Sequence, residues 1–393
     1  MNNYKKYGAV LAFAMAALPA AAQVRIGLSG PLTGPVAVVG QDQVDGFMLA
    51  LEQGGGKLGG HSVTVFKEDD QLKPEIGNQL VRKFIDRNKV HAVVGLGFSN
   101  VLMASLKPLV ESGTVALATN AGPSPLAGAL CAPNVFSVAW PNDGAAESMG
   151  KYMLEQGHKR VVLMAPNYQA GKDMLGGFKR YFKGQVLEEV YTQVGQSDYS
   201  AELAQLQALK PDAVFAFYPG GMGVNYIRQL SQAGLLKTIP NYSVFTVDGT
   251  TMPALRDAAV GTISGAMWDA ALDNPANRQF VAAFRAKYKR VPSEYAATGY
   301  DAARLLDAAI RRAGPAYGDN KVLAAAVKAA GPEFVSVRGP FRFNTNNMPI
   351  QNYYAFRVAS GGAEPVVTQL ATPLKDHGDI YRPQCRMGQG SAT

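Results

Sequence analysis

The stretch His91-Ala92-Val93-Val94-Gly95-Leu96-Gly97-Phe98-Ser99-Asn100, with the segment 101–112 and Thr114-Val115-Ala116-Leu117-Ala118 after it, decides the fold of this chain. A short apolar run ends in Gly. A corner of Gly and Ser follows, then a helical segment, then a second short apolar run. Neither run alternates polar with apolar residues, so each is predicted to be buried on both faces, as in a parallel sheet covered by helices. On the N-terminal side, Val24-Arg25-Ile26-Gly27-Leu28-Ser29 and Ser62-Val63-Thr64-Val65-Phe66 read as strands, and residues 41–53 and 75–86 as helices. After Trp140-Pro141-Asn142-Asp143 the alternation restarts. Helices are predicted over 144–156, 172–182 and 201–209. Strands are predicted at Val161-Val162-Leu163-Met164-Ala165 and Ala213-Val214-Phe215-Ala216-Phe217-Tyr218, with a helix to residue 233 closing the run. Two runs of about 115 to 120 residues each predict two separate α/β sheets.

Beyond Trp268 the pattern becomes helical. Residues 274–289, 292–314 and 319–330 are Ala-rich and amphipathic, with no strands of their own, so they are expected to pack on a sheet already built. Extended structure returns at Phe341-Arg342-Phe343, Tyr353-Tyr354-Ala355-Phe356-Arg357-Val358 and Val366-Val367. A chain that builds one lobe, then another, then returns segments to both must cross between them more than once, and several crossovers make a hinge. The expected organisation is a leader over 1–22, lobe one over 23–139 and 268–336, lobe two over 140–267 and 337–370, and a C-terminal tail over 371–393.

The leader sets the compartment. Lys5 and Lys6 precede an apolar run over residues 8–19, and Ala20-Ala21-Ala22 offers a cleavage site that leaves Gln23 first. This order of basic, apolar and small residues is that of a secretory signal peptide. The alternative, a membrane anchor, needs about 20 apolar residues to cross roughly 30 Å of hydrocarbon. No Cys follows the cut to carry a lipid, and no later run is long and apolar enough to span. About 371 residues remain, more than one ordinary core. The formal charge of +8 is scattered, as in Arg82-Lys83, Lys159-Arg160 and Arg311-Arg312. Nucleic acid binding needs a concentrated basic stripe, so it is not expected. An exported chain meets an oxidising space, where Cys131 and Cys385 can pair and tie the tail to the middle of the chain. Two separate buried thiols are the alternative, since pairing needs Cα atoms within roughly 7 Å.

Catalytic motifs fail on inspection. Gly171-Lys172 resembles a phosphate loop, but Asp173 follows where Ser or Thr is needed and Pro166 stands where the first Gly belongs. Gly27-Leu28-Ser29-Gly30-Pro31 misses a nucleophile elbow at its last position. His61, His91, His158 and His377 have no metal-like spacing. No cofactor or metal is called for, and the chain is not read as an enzyme. What stands out is small, polar chemistry at strand ends, where open α/β sheets bind ligands. Ser99 is placed as a helix N-cap, beside free N–H groups that attract an anion. Asn120-Ala121-Gly122 follows the neighbouring strand, with Gly122 admitting close backbone approach and Asn120 offering both donor and acceptor. Two adjacent strands thus bring donors to one spot, which suits a carboxylate; ordinary capping and turn chemistry is the alternative. In the second half Tyr168, Tyr218 and Asp248 follow strands in the same way. Asp248 either meets a ligand ammonium, accepts from a ligand hydroxyl, or serves as a turn residue.

The leader, Ser29-Gly30-Pro31-Leu32-Thr33-Gly34, Val94-Gly95-Leu96-Gly97-Phe98-Ser99, Asn167-Tyr168-Gln169-Ala170-Gly171-Lys172-Asp173 and the late Pro292-Ser293 and Tyr300-Asp301 together resemble the Leu/Ile/Val-binding protein family, the periplasmic receptors of branched-chain amino-acid ABC importers. The resemblance spans nearly all of the mature chain. It implies a two-lobed type I periplasmic-binding-protein fold, each lobe a mostly parallel sheet flanked by helices and joined by a multi-strand hinge. It implies that Ser99 and the segment Asn120, Ala121 and Gly122 hold a ligand carboxylate, with Tyr168, Tyr218 and Asp248 facing it from lobe two. Val39 precedes Gly40 where amino-acid binders usually carry an aromatic residue, and Ala170 stands where they usually carry Tyr. Asn120-Ala121-Gly122-Pro123-Ser124-Pro125-Leu126-Ala127-Gly128, Phe245-Thr246-Val247-Asp248 and the late Cys385 resemble the branch that binds aromatic carboxylates, for which losing two bulky lining groups makes room, with a branched-chain or other hydrophobic amino acid as the next ligand. The implied partners are a small carboxylate ligand and the membrane permease subunits of an importer, and the protein is expected to act as a periplasmic monomer that closes about its hinge. A ligand-sensing receptor without a transport role is the second reading, and a hydrolase the third.

Overall fold

A computed structural model describes residues 23–362 and 365–387, so the leader lies outside the described residues. Six strands form the first sheet: β1 (Val24–Gly30), β2 (Lys57–Leu58), β3 (His61–Asp69), β4 (Ala92–Gly95), β5 (Val115–Ala118) and β6 (Val135–Ser137), in the order β2-β3-β1-β4-β5-β6. All neighbours run parallel except the β2–β3 hairpin. Helices α1 (Ala37–Gln53), α2 (Pro74–Arg82) and α3 (Ser99–Ser112) connect the first strands, and a single turn, α4 (Ser124–Ala127), follows β5. The central strands β4 and β5 are buried at every residue, the burial that their unbroken apolar runs require, and the edge strand β6 is buried as well.

The second sheet holds β7 (Arg160–Pro166), β8 (Gln185–Thr192), β9 (Ala213–Phe217), β10 (Asn241–Val244), β11 (Ile263–Ala266), β12 (Arg342–Phe343), β13 (Pro349–Ala359) and β14 (Val366–His377). Its order is β12-β13-β11-β10-β9-β7-β8, with β14 also pairing β13. The core from β11 to β8 is parallel, and β13 joins β11 antiparallel. It is flanked by α5 (Gly144–Glu155), α6 (Gln169–Tyr181), α7 (Ser200–Leu209), α8 (Gly221–Gln232) and the short α9 (Met252–Leu255). β2, β6, β8 and β11 are among the strands that escaped the sequence reading. β8 is an edge strand whose residues are mostly half-exposed, so its apolar signal is diluted. β11 is only four residues long and carries Ser264 and Gly265. β14 runs to His377, so the first part of the segment expected as a tail is a strand of the second sheet.

The late helices α11 (Glu294–Ala313) and α12 (Asn320–Ala330) pack into the core of the first lobe, and α10 (Pro275–Tyr288) reaches α1 through the Tyr288 hydroxyl, which donates to the Asp45 carbonyl. α11 crosses α1 closely because both carry Gly at the crossing. A Cβ on Gly46 would stand 1.9 Å from the Ala296 carbonyl oxygen, and one on Gly299 would stand 2.2 Å from that of Gln43. Among the described residues the chain therefore passes between the sheets three times, after β6, after β11 and after α12. Arg338 fastens two of these passages. Its guanidinium donates to the carbonyls of Val138 (2.7 Å) and Ala139 (2.9 Å), to Gln351 Oε1 (3.0 Å) and to Asp301 Oδ2 (3.0 Å).

Cys131 and Cys385 form a disulfide with Cα atoms 5.6 Å apart, fixing the tail to the loop after α4. Replacing both with Ser is expected to lower the free energy of unfolding by about 2–4 kcal/mol, through the greater entropy of the unfolded chain, measured as a shift of the urea midpoint. Identical midpoints for the two proteins would show that the tail is held by its hydrogen bonds alone.

Candidate functional site

The cleft lies where the C-terminal ends of the two parallel sheets face each other. From the first lobe come Gly97, Phe98 and Ser99 after β4, and Asn120 and Ala121 after β5. From the second come Tyr168, Ala170 and Met174 at α6, Phe217 and Pro219 after β9, and Phe245 after β10. Trp140 and Asn142 come from the first passage, and Tyr295 from α11. Ser99, Asn120, Ala121 and Tyr168 are thus brought into one cleft from three separate segments.

The donor end is built by β4 and β5, whose ends pair Gly95 with Ala118. α3 begins at Ser99 itself, and the N-cap is Phe98, which has no side-chain cap. The Ser99 hydroxyl is therefore not spent on capping. Its oxygen accepts from Asn142 Nδ2 at 3.0 Å, which leaves its proton free to donate. Among the described residues the backbone N–H groups of Ser99 and Ala121 and the side-chain amide of Asn120 meet no protein partner. Unpaired N–H groups at a helix start, with the positive end of its dipole, favour an anion.

The remaining walls are aromatic. Trp140 stacks on Phe245 with centroids 4.5 Å apart and planes 18° apart. Tyr168 lies 6.2 Å from Phe217 and 6.4 Å from Phe98. Tyr295 stands 6.1 Å from Trp140 and 6.3 Å from Phe245. Phe245 holds a left-handed backbone, φ 52°, which strains a bulky residue and marks a position over-determined by its surroundings. The space left among these rings is about 20 Å³, room for about one water. A ligand enters only when the lobes part or the rings turn. The Tyr295 hydroxyl is buried facing the Asp248 carboxylate, and burial beside Asp248 and Glu294 pushes its pKa far up.

Four expectations resolve differently. Tyr218 does not line the cleft. Successive side chains near a strand end turn to opposite sides, so Phe217 and Pro219 face the cleft while Tyr218 packs edge-on against Tyr199 at 4.9 Å. Val39 is fully buried in the core behind the cleft. Gly122 has its N–H bound to Asn142 Oδ1 at 3.0 Å, and a Cβ there would meet the Trp140 carbonyl at 1.9 Å, so it serves the approach of two chain segments. Asp248 lies beside the cleft, where its Oδ1 accepts from Thr250 N (2.7 Å) and Thr250 Oγ1 (2.6 Å), the turn role weighed for it. Its carboxylate is buried and faces the Tyr295 hydroxyl.

Beyond Asp248 a wider cavity of about 740 Å³ opens, with Asp248, Trp268, Asp269 and Glu294 in its wall and Arg256, Arg285 and Lys289 at its exposed rim. Burial pushes the pKa values of Asp248 and Asp269 up, and that of Glu294 well up, with Asp248 adding like-charge repulsion at Glu294. Asp42, on α1, is raised to about 6 by burial, although Arg290 pairs with it. Among the described residues no group of three His, Cys, Asp or Glu side chains is placed to hold a metal ion.

Trp140, Asn142, Phe217, Phe245 and Tyr295 were not singled out from the sequence as cleft residues. The buried aromatic after each strand of the second lobe was the signal available, but single aromatics in apolar runs read as core.

The cleft has the setting of known receptors. A solved solute-binding protein of an ABC transporter from R. palustris, in complex with benzoate, is 33% identical, with a TM-score of 0.87, covering 93% of this chain and 100% of that one. Another, from Rhodopseudomonas palustris BisB5 in complex with 3,4-dihydroxybenzoic acid, is 26% identical, with a TM-score of 0.84, covering 90% and 98%. A leucine-binding protein from Thermotoga maritima, 23% identical with a TM-score of 0.79 over 88% and 98%, shares the fold. Leu/Ile/Val-binding protein homolog 6 of Brucella melitensis biotype 1 is 27% identical over 366 residues, 89% of this chain and 92% of the relative. The family model for periplasmic binding proteins matches residues 23–363, and with two parallel sheets closing on a donor-lined cleft, this chain belongs to the periplasmic binding protein family as a solute-binding protein of the ABC-transporter class.

Proposed function

We propose that the protein captures a small aromatic carboxylate in the periplasm, closes on it, and presents the closed form to the permease subunits of an ABC importer. One observation carries the aromatic part. Six rings, Phe98, Trp140, Tyr168, Phe217, Phe245 and Tyr295, surround a cleft whose one end offers the Ser99 and Ala121 N–H groups and the Ser99 hydroxyl. A flat anionic ring matches both ends, since rings stack on rings and a carboxylate takes convergent donors. The benzoate and dihydroxybenzoate complexes of related proteins support this reading. A branched-chain amino acid is the second reading, favoured by the buried Asp248 carboxyl beside the cleft, which can meet an ammonium, and by the relatives named for Leu/Ile/Val.

A thermal-shift series on the mature protein with benzoate, 4-hydroxybenzoate, coumarate, phenylalanine and leucine separates the two. At 100 times Kd the ligand should stabilise the protein by about 2.7 kcal/mol. A response to leucine with none to the aryl acids would eliminate the aromatic preference. Ser99→Ala is expected to weaken the best aryl acid by about 10- to 100-fold, as loss of a hydrogen bond to a charged group does. Unchanged affinity would move the carboxylate elsewhere in the cleft.

A further inference from the structure

Asn142 stands where the first passage between lobes meets α5, and it is 2% exposed. Its amide touches both lobes. Oδ1 accepts from the Gly122 N–H at 3.0 Å, while Nδ2 donates to Ser99 Oγ at 3.0 Å and to Asp173 Oδ2 at 2.8 Å. The amide has one orientation, because a backbone N–H only donates and a carboxylate only accepts. That orientation dictates the role of Ser99. With its oxygen already accepting from Asn142, the Ser99 hydroxyl turns its proton toward another acceptor.

Asp173 projects from α6 of the second lobe and is 6% exposed. Within its own lobe Gln169 Nε2 donates to Oδ1 at 2.9 Å. Its other donors belong to the passage and to the first lobe: Asn142, Ser124 N at 3.1 Å to Oδ2, and Ser124 Oγ at 2.6 Å to Oδ1. None of these donors is charged. A buried carboxylate held by neutral donors, two of them from Ser124 of the opposite lobe, loses part of its solvation by protein when the lobes part. A second contact, Gly221 N–H to the Pro35 carbonyl at 2.9 Å, joins the lobes elsewhere along the cleft.

We propose that Asp173 is the clasp that holds the two lobes closed through Ser124, and that Asn142 couples this clasp to the ligand through the Ser99 hydroxyl. Asn142 and Asp173 are positioning residues in this scheme. The ligand anion accepts from Ser99, which makes the Ser99 oxygen a better acceptor for Asn142. The Asn142 amide is then held where its second proton meets Asp173, and a chain of hydrogen bonds strengthens along its length. Closure is thereby favoured when an anion occupies the donor end. The coupling half of the proposal rests on the placement of a ligand carboxylate at Ser99; the clasp itself does not.

The test uses the mature protein and the variants Asp173→Ala, Ser124→Ala and Asn142→Ala, with benzoate and leucine as probes in stopped-flow binding and with small-angle X-ray scattering on the ligand-free proteins. Asp173→Ala is expected to raise the dissociation rate about 10- to 100-fold while the association rate stays within about threefold. Its effect and that of Ser124→Ala should be non-additive, because they break one interaction. In the Asn142→Ala background, Asp173→Ala should change the dissociation rate less than in the wild type. The ligand-free Asp173→Ala protein should show a larger radius of gyration. A dissociation rate unchanged within about twofold, or additive effects of Asp173→Ala and Ser124→Ala, overturns the clasp. Equal effects of Asp173→Ala with and without Asn142 overturn the coupling. If neither probe binds the wild type, the proposed ligand class fails on its own, and the scattering comparison still decides the clasp: an unchanged radius overturns it. Should Asp173→Ala not fold, Ser124→Ala, which leaves the carboxylate and its lobe intact, carries the same measurements.

Discussion

Arg338→Ala is expected to cost about 3–5 kcal/mol of unfolding free energy, the effect of leaving a buried charge without its partner. Asp301 is fully buried and Arg338 nearly so, at 0% and 4% side-chain exposure. Asp301 also accepts from Ser336 Oγ at 2.6 Å and from the Val337 N–H at 3.0 Å. Burial still pushes its pKa up, against the pull of Arg338, so the guanidinium is the group that keeps the carboxylate tolerable. The same substitution frees the Val138 carbonyl and Gln351 Oε1 and leaves the Ala139 carbonyl to Gln351 Nε2 alone. Urea unfolding at pH 7 reads the loss. Arg338→Lys is expected to recover only part of it, since an ammonium does not span four acceptors as the guanidinium fork does. A loss below about 1 kcal/mol for Arg338→Ala would mean that water replaces the guanidinium and that the passages are held by other contacts.

The second large effect is a stability that falls as pH rises from about 5 to about 7.5. Burial raises Asp42 and Asp70 to about 6 each. Asp70 is fully buried with Oδ2 unpartnered. Asp248, Asp269 and Glu294 shift in the same direction. A carboxyl whose pKa is higher folded than unfolded binds more protons in the folded state. Its contribution is therefore fully present below the unfolded value near 4 and is lost as pH climbs through the folded value. His91 and His158, lowered mainly by burial, act oppositely across pH 5 to 6.5. They are two partly buried groups against seven acids that burial raises, Glu147 and Asp301 included. The net loss between pH 5 and 7.5 is expected to be on the order of 2–4 kcal/mol, from about two shifted carboxyls at 1.36 kcal/mol per unit less the histidine contribution. Glu294→Gln should be more stable than wild type at pH 7.5 and should show a shallower slope. Urea midpoints at pH 5, 6 and 7.5 check both. A stability that rises steadily over this range would show that these acids are ionised and solvated in the folded protein.

Much of this molecule was legible in the sequence because burial on both faces leaves unbroken apolar runs, and β4, β5, β7 and β9 are such runs. The reading was weakest where burial is partial, as at the half-exposed edge strand β8, or where a strand is very short, as at β11. In the cleft, Ser99, Asn120, Ala121 and Tyr168 could be picked out because each directly follows a strand, and chain order alone puts strand ends on one edge of a parallel sheet. Tyr218 was picked by the same logic and turns the other way, since position after a strand does not reveal which side a side chain takes.

The sequence by itself determined the two sheets, the return of the late helices and the strand-end donors, because these follow from local periodicity and from the chemistry of neighbouring residues. Only the tertiary structure decided which residues meet across the cleft. Trp140 against Phe245, Asn142 between Ser99 and Asp173, and Tyr295 beside Asp248 are pairings between segments 43 residues apart at Ser99 and Asn142, and 31 at Asn142 and Asp173. Their contact depends on how three passages fold two lobes together, and no local pattern of residues encodes that angle.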